Sequence, residues 1–229
     1  MSLYRDVNMN GDGMIVIMKG KLIILEGGEG SGKTTLVANL KAELEKEGVK
    51  VVTTREPGGT VYAEEIRAAL IKKRENSADY PTPLAQLLGF YSARFDHIEK
   101  VIIPALERGE VVLCDRFELT SYAYQIYALA PELHENFVLL HHQVCELLRS
   151  YELMYVLLDI DPEVGVRRAL ARSDANTSFD EKNMDFHIKA HEGRQMAKSH
   201  IQNCFVFHTV DATLTPEEMV VATRLITNI

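Results

Sequence analysis

LEGGEGSGKTTL, Leu25–Leu36, is the stretch on which the reading of this chain turns. Four glycines crowd into Gly27–Gly32, between the apolar run KLIILE and a helix-like run that begins at Ser31. Glycine is costly to order and adds nothing to a core, so a cluster at this junction points to a backbone that must wrap something. Gly27, Gly32, Lys33 and Thr34 complete the spacing GxxxxGK[ST]. Glycines there let backbone N–H groups turn inward onto a phosphate chain, and the following helix aims its positive end at the same anion. Lys33 is placed to reach the β- and γ-phosphates, and the Thr34 hydroxyl to ligate Mg2+. The candidate nucleoside triphosphate site is therefore Gly27, Gly28, Glu29, Gly30, Ser31, Gly32, Lys33, Thr34 and Thr35.

Working outward, β-rich runs alternate with helical ones. KLIILE is followed by VKVVTTR, EVVLCDR, LMYVLLDI and CFVFHTV as strands. The segment SGKTTLVANLKAELEKEG carries Leu36, Leu40 and Leu44 at a spacing of four and closes at Gly48, which predicts a helix. Further helices are expected around Ala63–Lys73, Leu84–Glu107 and Glu181–Asn203. Apolar strands separated by amphipathic helices imply an α/β fold whose parallel sheet is covered on both faces. Ligands in such sheets sit at the carboxyl ends of the strands, which directs attention to Gly27–Thr34, Arg55–Thr60, Asp115–Arg116 and the segment after Asp159. Residues 1–18 read as an extension, possible disorder included, whose first thirteen residues, MSLYRDVNMNGDG, are polar and turn-rich, leaving 19–229 as one domain.

Bulk composition narrows the classes. The chain has 229 residues, 46% hydrophobic and 25% charged, which suits one globular domain. Its apolar runs are too short for a membrane span. A net charge of −8 argues against a broad nucleic-acid surface, although a few arginines can still converge on a small anion. Cys114, Cys145 and Cys204 are widely spaced and odd in number, so buried thiols in a reducing, cytoplasmic setting fit better than disulfides.

A phosphate-binding loop does not say what is done with the nucleotide. The DxxG and NKxD motifs of a GTPase are missing from the sequence. A small-molecule kinase needs a second anion site facing the γ-phosphate. TREPGGT puts Arg55 at the end of the second strand, FYSARFD puts Arg94 in a helix, and CDRF puts Asp115 and Arg116 at the end of the third strand. Each arginine alone could be an ordinary salt-bridge residue. Together, their forked donors could converge on one phosphate.

These segments resemble the thymidylate kinase family. EGGEGSGKTT, TREPGGT, FYSAR, DRFELTSYAYQ and LDIDPEVGVRRALAR carry the resemblance, in order from about Lys21 to Ala212. It implies a three-layer P-loop kinase fold, a five-stranded parallel sheet flanked by helices, with a short mobile lid at about 172–183. It also implies a homodimer and transfer of phosphate from ATP, with Mg2+, to dTMP, which supplies dTTP synthesis. Carried over by position, Arg55, Arg94 and Arg116 resemble the arginines that hold the acceptor phosphate. Phe90 falls where the family stacks an aromatic on thymine, and Thr120, Tyr124 and Gln125 match the segment lining base and sugar. Glu29 matches an acidic position facing the nucleotide sugar and metal, and Asp115 the place of a residue that supports Mg2+. Glu56–Pro57 resembles a peptide bond often cis in the family.

Arg168 and Arg172 are four residues apart, a spacing that puts both on one helix face ahead of the polar SDANTS. This phosphate-binding loop carries Gly30 and Ser31 and no arginine, which resembles the design that supplies an arginine from the lid. Leu170 stands where one family arginine would be. Arg172 is the favoured catalytic lid arginine, with Arg168 second, alongside Lys33 and Glu29. The acceptor phosphate is already ionised near neutrality, so positioning and charge neutralisation outweigh base catalysis. Two rival readings are a deoxynucleoside kinase with Glu29 as base, and a nucleotide-binding module without turnover. His187 and His191, at i and i+4, are expected on a wet helix face, and His141 and His142 at a helix surface or in packing.

Overall fold

The computed structural model describes residues 19–171, 183–201 and 205–229. The extension 1–18, most of the expected lid, Arg172 and Cys204 lie outside the described residues. In chain order the elements are β1 (Lys21–Gly27), α1 (Lys33–Lys46), β2 (Val51–Arg55), α2 (Val61–Ile71), α3 (Pro83–His97), α4 (Ile103–Glu107), β3 (Val111–Asp115), α5 (Glu118–Ser121), α6 (His134–Leu148), β4 (Glu152–Asp159), α7 (Pro162–Leu170), α8 (Met184–Ile201), β5 (Val206–Asp211) and α9 (Pro216–Thr227). A π-helical segment, Ile98–Ile102, joins α3 to α4, so the expected single helix over Leu84–Glu107 is continuous but changes pitch. A second, Tyr122–Tyr127, extends α5.

The strands form one parallel sheet in the order β2-β3-β1-β4-β5. β1 is central, and its alternation assigns the layers. Leu22 and Ile24 pack with Val112, Tyr155, Leu87, Phe137 and Ala197 on one face, under α3, α6 and α8. Ile23 and Leu25 pack with Leu36, Leu40, Leu113, Val156 and Met219 on the other, under α1 and α9. Each fully buried Leu or Ile contributes about 1.5–3 kcal/mol. The chain lays β2 and β3 on one side of β1 and β4 and β5 on the other, so the carboxyl ends of β1 and β3 flank the point where the strand order switches and open a crevice there. Among the described residues, no helix is long and apolar enough to cross a membrane. Cys114 is buried and its thiol is pushed well up by that burial, while Cys145 is half-buried with its Sγ 3.3 Å from His141 Nε2.

Candidate active site

The loop after β1 is built as its glycines demand. Gly30 and Gly32 have φ of 68° and 86°, and Gly32 opens α1. A side chain at Gly30 would put Cβ 2.0 Å from the Gly165 carbonyl oxygen, so the packing of α7 keeps an arginine out of that position. Lys33 is buried and donates to the carbonyls of Gly27 (3.1 Å) and Gly28 (2.8 Å) and to Ser31 Oγ (3.3 Å). Burial first, then Arg116, lowers its ammonium to about 8, against the pull of Asp115 and Glu29.

β3 delivers the next groups. Thr34 Oγ1 donates to Asp115 Oδ2 at 3.2 Å, and Asp115 Oδ1 is buried with no partner. Two hard oxygen donors, one of them orphaned, fit a Mg2+ ion. Arg116 holds a left-handed backbone, φ 71°, a costly conformation for a non-glycine residue. Glu26, buried in β1, fixes that turn by accepting from Phe117 N (2.7 Å), Thr120 N (3.0 Å) and Thr120 Oγ1 (2.6 Å). Arg116 Nη2 then reaches Glu29 Oε1 at 2.7 Å, and the Tyr124 hydroxyl donates to the same oxygen at 3.0 Å. Burial works to raise the Glu29 carboxyl, but Arg116, Lys33 and Arg194 outweigh it and hold it well below the usual range.

Two adjoining cavities open here. The outer cleft, about 690 Å3, is lined by Gly30–Thr35, Asp115, Arg55 and Glu64 among others. The inner cavity, about 190 Å3, is lined by Phe90, Arg94, Ser121, Tyr124 and Gln125. Glu29, Glu56, Arg67 and Arg116 border both. The expected arginine trio is therefore spread along the crevice. Arg55 borders only the outer cleft, half-exposed and paired with Glu64 at 3.0 Å, and Arg94 borders only the inner cavity. Arg94 is buried between the rings of Tyr91 (4.6 Å) and Phe117 (4.9 Å), bonded to Glu56 Oε2 (2.6 Å) and Ser121 Oγ (3.0 Å). Its Nη1 is left without a partner. Glu56 also accepts from or is faced by His97 Nδ1 at 3.0 Å, whose Nε2 meets Thr54 Oγ1 at 2.7 Å. The Glu56–Pro57 bond is cis.

Arg168 donates to the Ala212 carbonyl at 2.9 Å, and its Cβ lies 3.0 Å from where a Gly30 Cβ would stand. α7 ends at Leu170, two residues short of Arg172. One expectation is corrected: His187 is buried, not wet, because its face of α8 packs onto the phosphate-binding loop and α7, where it lines a recess with Gly28, Ile160 and His191. Among the described residues no cluster of three metal-binding side chains forms there. Of its companions, His141 is buried against Glu118 (3.1 Å) and Phe137, and His142 is exposed.

Sequence reading missed Glu26, Arg67 and Arg194. Each had the same signal, a charge on a buried stripe: Arg67 lies with Ala63 and Leu70, and Arg194 with Ala190 and Ala197.

A family model described as thymidylate kinase matches residues 25–222. The chain belongs to the thymidylate kinase family. Thymidylate kinases similar to it include that of Citrifermentans bemidjiense, 41% identical over 76% of this chain and 77% of the relative. That of Magnetococcus marinus is 37% identical over 90% of this chain and 94% of the relative. A crystal structure of thymidylate kinase from Ehrlichia chaffeensis superposes with a TM-score of 0.65 at 25% identity, covering 91% of this chain and 98% of that one.

Proposed function

We propose that this chain phosphorylates dTMP to dTDP, with ATP and Mg2+ in the outer cleft and dTMP in the inner cavity. The observation that carries the reading is the pair of adjoining cavities, one floored by the phosphate-binding loop and one walled by Phe90 and Gln125, sharing Arg116 and Arg67 at their boundary.

In this reading Lys33 and the loop amides neutralise the donor phosphates, and Thr34 with Asp115 holds Mg2+, which supplies charge stabilisation when bound. Phe90 stacks on the base, and Gln125 offers both a donor and an acceptor to its edge. Arg94 serves the base end, where its unpartnered Nη1 shares the cavity with Gln125, rather than the phosphate. Arg116 takes the acceptor phosphate at the boundary, Arg67 stands beside it, and Arg55 guards the outer side. Arg67 donates to the Pro57 carbonyl at 3.0 Å, and among the described residues no carboxylate pairs with it. Thr120 and Tyr124 line the sugar, and Glu29 orients it. Arg172, with Arg168 as second choice, remains the proposed lid cation. The single domain over 19–229, the homodimer and the cytoplasmic setting belong to the same reading, supported by the family resemblance.

Paired substitutions test the division of the crevice. Base–aromatic stacking contributes about 1–3 kcal/mol, so Phe90→Ala raises KM for dTMP about 10–100-fold and leaves KM for ATP unchanged. Equal rises for both nucleotides would refute separate sites.

A further inference from the structure

Arg194 is 2% exposed and lies at the centre of the buried face of α8. Its Nη1 donates to the Ala190 carbonyl at 3.2 Å, while Nε and Nη2 are buried with no hydrogen-bond partner. A buried guanidinium with idle donors is unfavourable unless something else uses them. Its surroundings show what could. Its Nη1 lies 3.8 Å from where a Cβ on Gly28 would stand, and its charge acts on both Glu29 and Lys33. The Arg194 guanidinium sits 5.1 Å from the centroid of the Tyr124 ring, and Arg116 sits 6.0 Å from the same centroid. The hydroxyl of that ring donates to Glu29. Glu29 therefore has one arginine bonded to it and a second beside the same tyrosine.

The reading of Arg116 as the acceptor-phosphate residue, on which this inference rests, creates a charge problem. Arg116 is paired with Glu29 at 2.7 Å. A dianionic phosphate that draws Arg116 away leaves a part-buried carboxylate facing bound phosphates. Lys33 cannot cover it, being engaged with Gly27, Gly28 and Ser31 and needed by the donor phosphates. We infer that Arg194 is the reserve counter-ion of Glu29, which takes the carboxylate over when Arg116 turns to the acceptor phosphate. Arg194 is thus a positioning residue: it touches no phosphate, but frees the arginine that does.

The test is calorimetric titration of the full chain with dTMP and with thymidine, which lacks the phosphate and does not call Arg116 away. Arg194→Met weakens dTMP about tenfold and thymidine less than about twofold. Arg194→Lys retains most of the preference. Adding Glu29→Gln to Arg194→Met restores the ratio of thymidine to dTMP dissociation constants, because no carboxylate then holds Arg116. A purely structural role would weaken both ligands alike and so leave that ratio unchanged, and that result overturns the inference. If Arg194→Met does not fold, Arg194→Gln decides by the same ratio. Arg116→Ala separates the two readings. Collapse of the ratio there, but not in the Arg194 variants, removes the handover alone. An intact ratio in Arg116→Ala removes the phosphate role of Arg116 and the handover with it.

Discussion

Gly165→Ala adds a single methyl group to α7, at a residue that borders neither cavity. An added Cβ there lies 2.4 Å from the Glu29 carbonyl oxygen and 3.3 Å from Ile160 Cγ2, and ordinary contact begins near 3.4 Å. Relief therefore requires α7 and the phosphate-binding loop to part by about 1 Å, and a displacement of that size in groups that align reactants costs about 100-fold in rate. Stability moves much less. Alanine gains about 0.8–1 kcal/mol of helix propensity over glycine, against an overpacking cost of about 1–3 kcal/mol. The expected result is a loss of about 100-fold in kcat/KM for ATP with a net destabilisation of about 0–2 kcal/mol in urea unfolding. Gly48→Ala is the control. Its φ is positive, 82°, unlike that of the helical Gly165, but an added Cβ meets nothing within 4 Å, so it loses stability without losing rate. A Gly165→Ala enzyme with kcat/KM within about threefold of the parent would refute the claim that α7 sets the position of the loop.

Lys33, Glu26 and Asp115 give the further outcomes. The Lys33 ammonium is lowered to about 8, so kcat/KM for ATP falls as pH rises through that value, and ATP binding at pH 8 takes up about half a proton as the phosphates restore the charge; calorimetry in buffers of different ionisation enthalpy reads the uptake. The same depression means that the unfolded chain binds more protons than the native one between about 8 and the ordinary lysine value of 10.5, so this group's contribution to stability rises across that window and is absent below it. Glu26→Ala leaves the amides of Phe117 and Thr120 without their acceptor and costs about 2–4 kcal/mol in urea unfolding, whereas Glu26→Gln, which keeps an amide oxygen, costs less. Asp115→Asn raises the Mg2+ concentration needed for half-maximal rate while leaving dTMP affinity unchanged, measured by titrating metal at fixed nucleotide.

The parallel sheet was legible because strands buried on both faces read as continuous apolar runs, and Ile23 to Leu25 is such a run. The phosphate-binding loop was legible because its spacing is local. The strand order was not, since nothing within a strand names its neighbour. The arginines show the same limit. Their presence near the crevice could be read from strand ends, but their division between cavities depends on residues remote in sequence: Glu64 for Arg55, Ser121 and Glu56 for Arg94, Glu29 for Arg116. Arg194 and His187 were misjudged or passed over for a related reason. α8 packs against Tyr124, Gly28 and α7, and that packing turns what reads as a polar helix into one with a buried charged face.

The most direct test of the account is ADP release with ATP and Mg2+ against dTMP, dUMP, dCMP, dGMP and thymidine, with dTDP formation followed in parallel. The account predicts turnover with dTMP well above every other acceptor and one dTDP formed for each ADP. Preference for thymidine would move the acceptor from a phosphate to a hydroxyl, make Glu29 a base and leave Arg116 without its proposed task, which would contradict the account.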